Sequence, residues 1–401
     1  MRHNPFSADG TKRKPALWLL VLITFTGTLA MHMFVPALPI AAQDLGASFA
    51  AMQMTISLYI LGLAFGQLVY GPLSDCFGRR PILMVGLVLY TASGIAAGLA
   101  PGVYALIAAR LFQALGGCAG LVLGRAMVRD ISGPEAAARQ LAVMNLIVVI
   151  GPALAPLLGG LLASSFGWRS IFLLLVVLGA TNILCVWRLL PETGQRSGMV
   201  SVASLGRDYK GLLGSRAFLG YAVGGSCATT SSYAFIAAAP FIFEELGRPA
   251  HDVGIALGLL AVGASIGSAL ASRLIGRVKM EPLMIGANAL STCAALILLS
   301  LVLMGAVDAF SAIGLMVLFT IGAGLSSPAA LTKAVSVNPK LIGSASGLYG
   351  FTQMAVGAIC TSLSGLGRDP ALAAAGVLAG AGVISQIAFW IASRQEGTPK
   401  V

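Results

Sequence analysis

The sequence predicts an all-α membrane protein whose twelve spans form two pseudo-symmetric six-helix bundles. Three observations carry that expectation. Of 401 residues, 57% are hydrophobic and only 10% charged, whereas soluble domains carry roughly 25% charged residues. A surface so poor in polar groups is solvated by lipid. Second, apolar runs long enough to cross a bilayer, about 20 residues each, recur near 16–38, 50–70, 81–100, 103–124, 139–163, 169–190, 217–243, 252–274, 282–304, 309–331, 342–365 and 371–393. Third, the cations sort by side. With twelve spans and the N-terminus inside, the connections on the outer face hold only Arg169, Arg248 and Arg368. The other connections and the termini hold the rest, apart from Arg110 within a span, as the positive-inside rule requires. Both termini are therefore expected to be cytoplasmic.

The same composition excludes other classes. A net charge of +11 can signal nucleic-acid binding, but here the cations sit in short connections and form no stripe. No run alternates as a transmembrane β-strand must. The six cysteines (76, 118, 185, 227, 293 and 360) show no metal-ligand spacing and read as reduced, buried and structural. No metal or cofactor is expected. Fifty glycines suit close helix packing in lipid. Lys12, Arg13 and Lys14 ahead of an apolar run resemble a signal peptide, but the spans that follow make a retained first helix the better reading.

The longest polar connection, 191–216, carries Glu192, Arg196, Arg207, Asp208, Lys210 and Arg216. It divides the chain into an N-terminal bundle (1–190), a cytoplasmic linker (191–216) and a C-terminal bundle (217–401). Arg273, Gly276 and Arg277 after span eight weakly echo Asp75 to Arg80 after span two. Paired halves of this kind are the architecture of a rocking transporter with a central site.

The chemistry begins in the short polar connection 71–81, where Gly71, Pro72, Leu73, Ser74, Asp75, Cys76, Phe77, Gly78, Arg79, Arg80 and Pro81 stand between two apolar runs. Glycines give backbone freedom for the reversal and Pro81 suits a helix start. The residues alone allow a topogenic basic loop. The spacing G-x-L-x-D-x-x-G-R-R also resembles the loop between the second and third helices of major facilitator transporters, with Cys76 where that family usually has Arg or Lys. The resemblance implies a gate in which Asp75, with Arg79 and Arg80, pairs with cations and helix ends across the two halves when the inner side is shut. Arg129 and Asp130 at the inner end of span four resemble its partner; an ordinary ion pair is the alternative.

Arg110 lies within span four, about 10 Å from its start at about 1.5 Å per residue. A charge there must face a cavity or a partner, or snorkel to the interface. Arg110, Gln113, Ala114, Leu115 and Gly116 resemble the fourth-helix motif of proton-coupled facilitators, whose arginine serves substrate binding or proton coupling. Gln113 shares its face and extends a polar wall. In span five, Gly151, Pro152, Pro156, Gly159 and Gly160 resemble the antiporter motif of drug exporters, with Ala155 in place of its usual first Gly. A packing kink without directional meaning is the alternative.

Span one ends in Met31, His32, Met33, Phe34, Val35, Pro36, Ala37, Leu38 and Pro39. With Asp44, Leu45, Gly46, Ser57, Leu58, Tyr59 and the 70–75 stretch, it resembles the subfamily of bicyclomycin and phenicol exporters. The likeness is strong over spans one to six and mainly one of hydropathy beyond. That subfamily usually has an Asp where His32 stands. His32, Arg110, Gln113, Tyr59, Asn145, Tyr233 and Gln353 are the candidate substrate and proton cavity, with Phe25, Phe235, Phe351 and Met354 as adaptable walls. Packing or lipid-facing roles are the alternative for each. Arg110 is positive and no acid lies at mid-depth, so neutral or anionic amphiphiles are expected over lipophilic cations. His32 is the candidate proton carrier, because an imidazole titrates near neutral pH.

The expected function is proton-driven export of small amphiphiles or drugs by a monomer. Import or exchange of a metabolite is the rival. Gly263, Ala264, Ser265, Ile266 and Gly267 fit G-x-S-x-G, which raises an intramembrane serine protease. The nearest histidine, His251, lies about 21 Å along the helix from Ser265, so no base reaches the hydroxyl. An enzyme is not expected.

Overall fold

The computed structural model describes residues 15–132, 134–194, 202–275, 277–338, 341–366 and 369–396. Its elements are α1 (Leu17–Met33), a 3-10 turn (Val35–Ala37), α2 (Leu38–Leu45), α3 (Phe49–Phe77), α4 (Arg79–Gly98), α5 (Val103–Ile131), α6 (Pro134–Phe166) and α7 (Arg169–Leu189). There follow α8 (Val202–Leu213), α9 (Arg216–Thr230), α10 (Ser232–Glu245), α11 (Ala250–Leu274), α12 (Met280–Leu303), α13 (Ala309–Ser336), α14 (Ile342–Ser364) and α15 (Pro370–Glu396). Helices α1 and α2 together make span one, and α9 and α10 together make span seven. The remaining helices supply one span each, except α8, which lies in the connection between the halves.

Among the described residues, ten spans are long and apolar enough to cross a membrane by length and composition. The fifth place is held by α6, and the eleventh by α14, which carries Thr352, Gln353, Thr361, Ser362 and Ser364. A polar face on a buried span belongs against protein or a cavity.

Three expectations about boundaries change. The polar stretch after span two is not a loop: α3 runs on through Gly71 and Pro72 to Phe77. The chain turns only at Gly78, whose φ of 98° favours glycine. A hydroxyl from Ser74 donates to the Gly71 carbonyl at 2.8 Å and supports this last turn. The segment 191–216 is not only a linker, because α8 forms within it. Spans one and seven are not continuous: the first breaks at Phe34 to Ala37 and the seventh at Ser231.

In the first half α3 and α4 pack on α5, α4 packs on α7, and α1 lies against α5 and α6. In the second half α9 lies against α13, α14 and α15, while α13 packs on α11 and α12. The halves meet along two long seams, α3 with α14 and α6 with α11. Glycine makes the tightest crossing possible. A Cβ on Gly27 would stand 2.6 Å from the Gly117 carbonyl oxygen, so α1 and α5 touch backbone to backbone. Gly159 lies against the Met33 backbone in the same way. Helix α6 runs through Pro152 and Pro156 without a break and seats Gly159 on the end of α1 and Gly151 against Phe25 further back.

All six cysteines are free in this structure. Cys118, Cys227 and Cys360 are buried, but Cys293 is exposed and Cys76 and Cys185 are half-buried, so burial holds for only three. At one end of the molecule α2 meets α10; this is called the Asp44 end. The opposite end carries the α3–α4 corner and is called the Gly78 end.

Candidate functional site

The two interrupted spans come together. His32, in the last turn of α1, faces Tyr233, in the first turn of α10, with ring centroids 6.4 Å apart. Interrupted helices at matching places in two halves expose backbone polar groups at mid-depth, which is where transporters bind cargo. Around the seventh-span break the sequence runs Thr229, Thr230, Ser231, Ser232. The Gln353 side-chain amide donates to the Thr229 hydroxyl at 3.0 Å, and the Thr230 hydroxyl donates to the Gln353 carbonyl at 2.8 Å. Tyr233, Gln353 and Thr229 are half-buried, so this uncharged polar cluster keeps accessible surface. Thr229 and Thr230 were not singled out from the sequence. A run of four hydroxyl residues in an apolar span was the available signal.

Arg110, Gln113 and Tyr59 do not belong to that cavity, and the sequence expectation is corrected. All three side chains have no exposure at all. The Arg110 guanidinium sits 4.0 Å from the Tyr59 ring centroid, 5.4 Å from Phe34 and 5.9 Å from Phe172. Its Nη1 donates to the Gln113 side-chain oxygen at 2.7 Å and to the Ala30 carbonyl at 3.1 Å. Ala30 lies in the last turn of α1, where carbonyls run out of helical donors. Arg110 therefore caps the C-terminal end of α1, a place that favours a cation. It does not snorkel to the interface. Tyr59 closes the same unit by donating to the Gly27 carbonyl at 3.0 Å. The side chains of Asn145 and Pro152 are not among those described.

The Gly78 end carries the expected charge cluster. Arg79 pairs with Asp75 at 2.5 Å and with Asp130 at 2.9 Å. Arg80 donates to the Trp187 carbonyl at 2.8 Å. Arg129 is exposed and donates to the Arg125 carbonyl at 3.5 Å. Every one of these partners belongs to the first half. A contributor missed from the sequence is Glu192. Its carboxylate accepts the backbone N–H groups of Arg79 at 2.9 Å and Arg80 at 3.3 Å, at the start of α4, and it accepts those of Thr193 and Gly194 at 3.1 Å each. A carboxylate there answers the orphan donors and the positive end of the helix. In the second half the corresponding ends of α12 and α13 carry Glu281 and Lys333, paired at 3.0 Å.

The Asp44 end is joined across the halves. Gln43 of α2 donates to Glu244 of α10 at 2.7 Å, and Phe49 meets Phe241 edge-on with centroids 4.6 Å apart. Asp44 itself pairs with Arg169 and accepts the Trp168 indole N–H at 3.0 Å. In the G-x-S-x-G stretch Ser265 donates to the Ala261 carbonyl of its own helix at 2.8 Å, and His251 pairs with Asp252 instead.

Two six-span halves, meeting through broken helices that hold uncharged polar groups at mid-depth, define a multi-pass membrane transporter of small molecules rather than an enzyme. Comparison with known proteins gives the family. Residues 20–361 match the family model described as Major Facilitator Superfamily, and the chain belongs to it. It is 30% identical over 397 residues to the uncharacterized MFS-type transporter YdgK of Bacillus subtilis, covering 97% of each chain. It is 27% identical to the bicyclomycin resistance protein homolog of Haemophilus influenzae, over 92% of this chain and 94% of the other. Among solved structures, a D-xylose-proton symporter superposes with a TM-score of 0.73 at 15% identity, over 93% of this chain and 96% of that one. The last likeness concerns the fold alone.

Proposed function

We propose that the chain exports small, uncharged amphiphiles across a bacterial inner membrane by proton antiport, alternating access between the two faces. The observation that carries this reading is the meeting of the interrupted spans at His32 and Tyr233, beside Thr229 and Gln353. These groups offer hydrogen bonds and aromatic faces but no fixed charge, which suits a neutral amphiphile. Anionic cargo drops in rank relative to the sequence expectation, because Arg110 is sealed behind Tyr59, Phe34 and Phe172. The name of the bicyclomycin resistance relative supports export of a drug-like compound. The α6 glycines seated against α1 support the antiporter-motif reading.

In this reading the Gly78 end is cytoplasmic, with both termini on that side. Residues 1–190 and 217–401 are the moving halves, and one chain is the working unit. The gate role of Asp75, Arg79, Arg80, Arg129 and Asp130 belongs to the state in which the Gly78 end is shut. In the arrangement described above, the cross-half contacts of spans one and seven lie toward the Asp44 end and the ion pairs of the Gly78 end stay within their halves. His32 is the titratable group that both faces reach in turn, and no bound cofactor takes part.

The test is transport in everted vesicles with only a proton gradient imposed. The wild type is expected to concentrate a neutral phenicol inside, and His32→Gln is expected to exchange it downhill without concentrating it. Gradient-driven accumulation by His32→Gln removes the carrier role. Accumulation in the opposite direction by the wild type replaces export with import.

A further inference from the structure

The α3–α14 seam contains a side chain that its surroundings do not satisfy. Gln53, in the second turn of α3, is 1% exposed. Neither its amide oxygen nor its amide nitrogen has a hydrogen-bond partner among the described residues. Its stem rests on Gly365 at the end of α14, where an added Cβ would stand 2.9 Å from the Gln53 Cβ. One turn further along, the outer surface of the same seam carries an open groove of about 260 Å³ walled by Ser57, Leu58 and Leu61 of α3 and by Ala358, Ile359 and Ser362 of α14, with Ile359 exposed. Close by, toward the Asp44 end, are two of the contacts between the halves, Gln43 with Glu244 and Phe49 with Phe241; Phe65 meets Phe351 across the same seam further along.

These neighbours act in opposite directions. The Gln43–Glu244 hydrogen bond and the Phe49–Phe241 ring pair exist only while the Asp44 end is shut. A buried amide without partners is penalised in that same state, because both its polar atoms have left water. Parting the halves at this end removes Gly365 from Gln53 and opens the amide to water.

We infer that Gln53 is a conformational counterweight that disfavours closure of the Asp44 end and keeps the latch formed by Gln43, Glu244, Phe49 and Phe241 reversible. This rests on the alternating-access reading above. Gln53 is here a positioning residue: it touches no cargo and sets how often the site faces each side. A transporter needs both states populated, and a latch without an opposing term would hold one of them.

The inference predicts opposite signs for substitutions on one seam. Gln53→Met keeps the length and volume of the side chain and removes its polar atoms. It is expected to raise the shut-to-open ratio at the Asp44 end roughly tenfold, the scale of relieving one buried unsatisfied group. Gln53→Leu should act in the same direction. Gln43→Ala removes an exposed hydrogen bond and is expected to lower the ratio about two- to threefold. The measurement is the distance distribution between spin labels at Leu99→Cys and Met304→Cys. Both positions are exposed, at 76% and 77%, and lie in opposite halves at the Asp44 end. The background lacks Cys76, Cys185 and Cys293, and the variants are reconstituted in lipid.

A shift toward the short distance in both Gln53 variants, toward the long one in Gln43→Ala, and slowed turnover in Gln53→Met support the inference. An unchanged or lengthened distribution in Gln53→Met overturns it, since the amide then has partners of its own, such as a polar ligand in the seam. In that case two distances in the wild type leave alternating access standing. A single fixed distance in every variant, with or without a neutral phenicol, removes alternating access itself.

Discussion

The two halves solve the problem of polarity in a membrane differently. The first half buries a full positive charge, Arg110, behind three aromatic rings, with its Nη1 bonded to the end of α1 and to Gln113 and its Nε and Nη2 without partners among the described residues. The second half carries hydroxyls and an amide around the break in its first span; Thr229 and Gln353 are half-buried, while Thr230 and Ser231 are buried. On the proposed function the difference separates two tasks: a sealed cation shapes the protein, and an accessible neutral cluster meets cargo. Charge within a span is therefore a poor guide to the substrate's charge when its neighbours are aromatic.

The largest effect that sharpens this contrast is expected at Arg110. Arg110→Ala opens a cavity among Tyr59, Phe34 and Phe172 and strips the Ala30 carbonyl of its donor. A loss of about 2–4 kcal/mol is expected, read as a lower melting temperature in detergent, and transport should fail because His32 is no longer held. Unchanged melting together with a changed preference for charged cargo would place Arg110 in the cavity after all. Next is the neutral cluster. Thr229→Val with Gln353→Leu should weaken binding of a neutral phenicol about tenfold, the scale of one or two lost hydrogen bonds, with little change in melting. Equilibrium binding checks this, and a large stability loss without an affinity change would make the cluster structural.

A smaller effect is expected at Glu192. Glu192→Ala frees the first N–H groups of α4 and should cost about 1 kcal/mol, with faster amide exchange at Arg79 and Arg80. The smallest concerns Asp308, whose side chain accepts the Ser311 backbone N–H at 2.9 Å at the start of α13. The hydrogen bonds from Ser311 hold its carboxyl below the usual range. Its contribution is therefore full above the ordinary carboxylate pKa and is lost as pH falls through the lowered value. Asp308→Ala should lower the melting temperature by about 1 °C at neutral pH and leave transport unchanged. The same change measured near pH 3 should be smaller.

Much of the fold was legible because lipid imposes a simple rule: about 20 apolar residues, then a connection. The spans, the paired halves and the partners of Arg79 follow from that rule and from motif spacing. The breaks at Phe34 to Ala37 and at Ser231 were not legible as breaks, since a proline or a serine run inside an apolar stretch is also compatible with a continuous helix. Arg110 was misplaced for a different reason. Its helix and depth were readable, but its burial depends on Phe34, Tyr59 and Phe172 converging from three other elements, and no local pattern encodes that. Glu192 was read as linker charge because its partner, the start of α4, lies 113 positions away in sequence.

The central claim is that cargo is held where the interrupted spans meet, by groups without fixed charge. Equilibrium binding of a neutral phenicol and of a quaternary ammonium dye, to the wild type and to Tyr233→Ala, tests it most directly. The account predicts that the phenicol binds the wild type more tightly than the dye and that Tyr233→Ala weakens it at least tenfold, in line with loss of an aromatic anchor. Equal affinities for the two compounds, or phenicol binding indifferent to Tyr233→Ala, would contradict it.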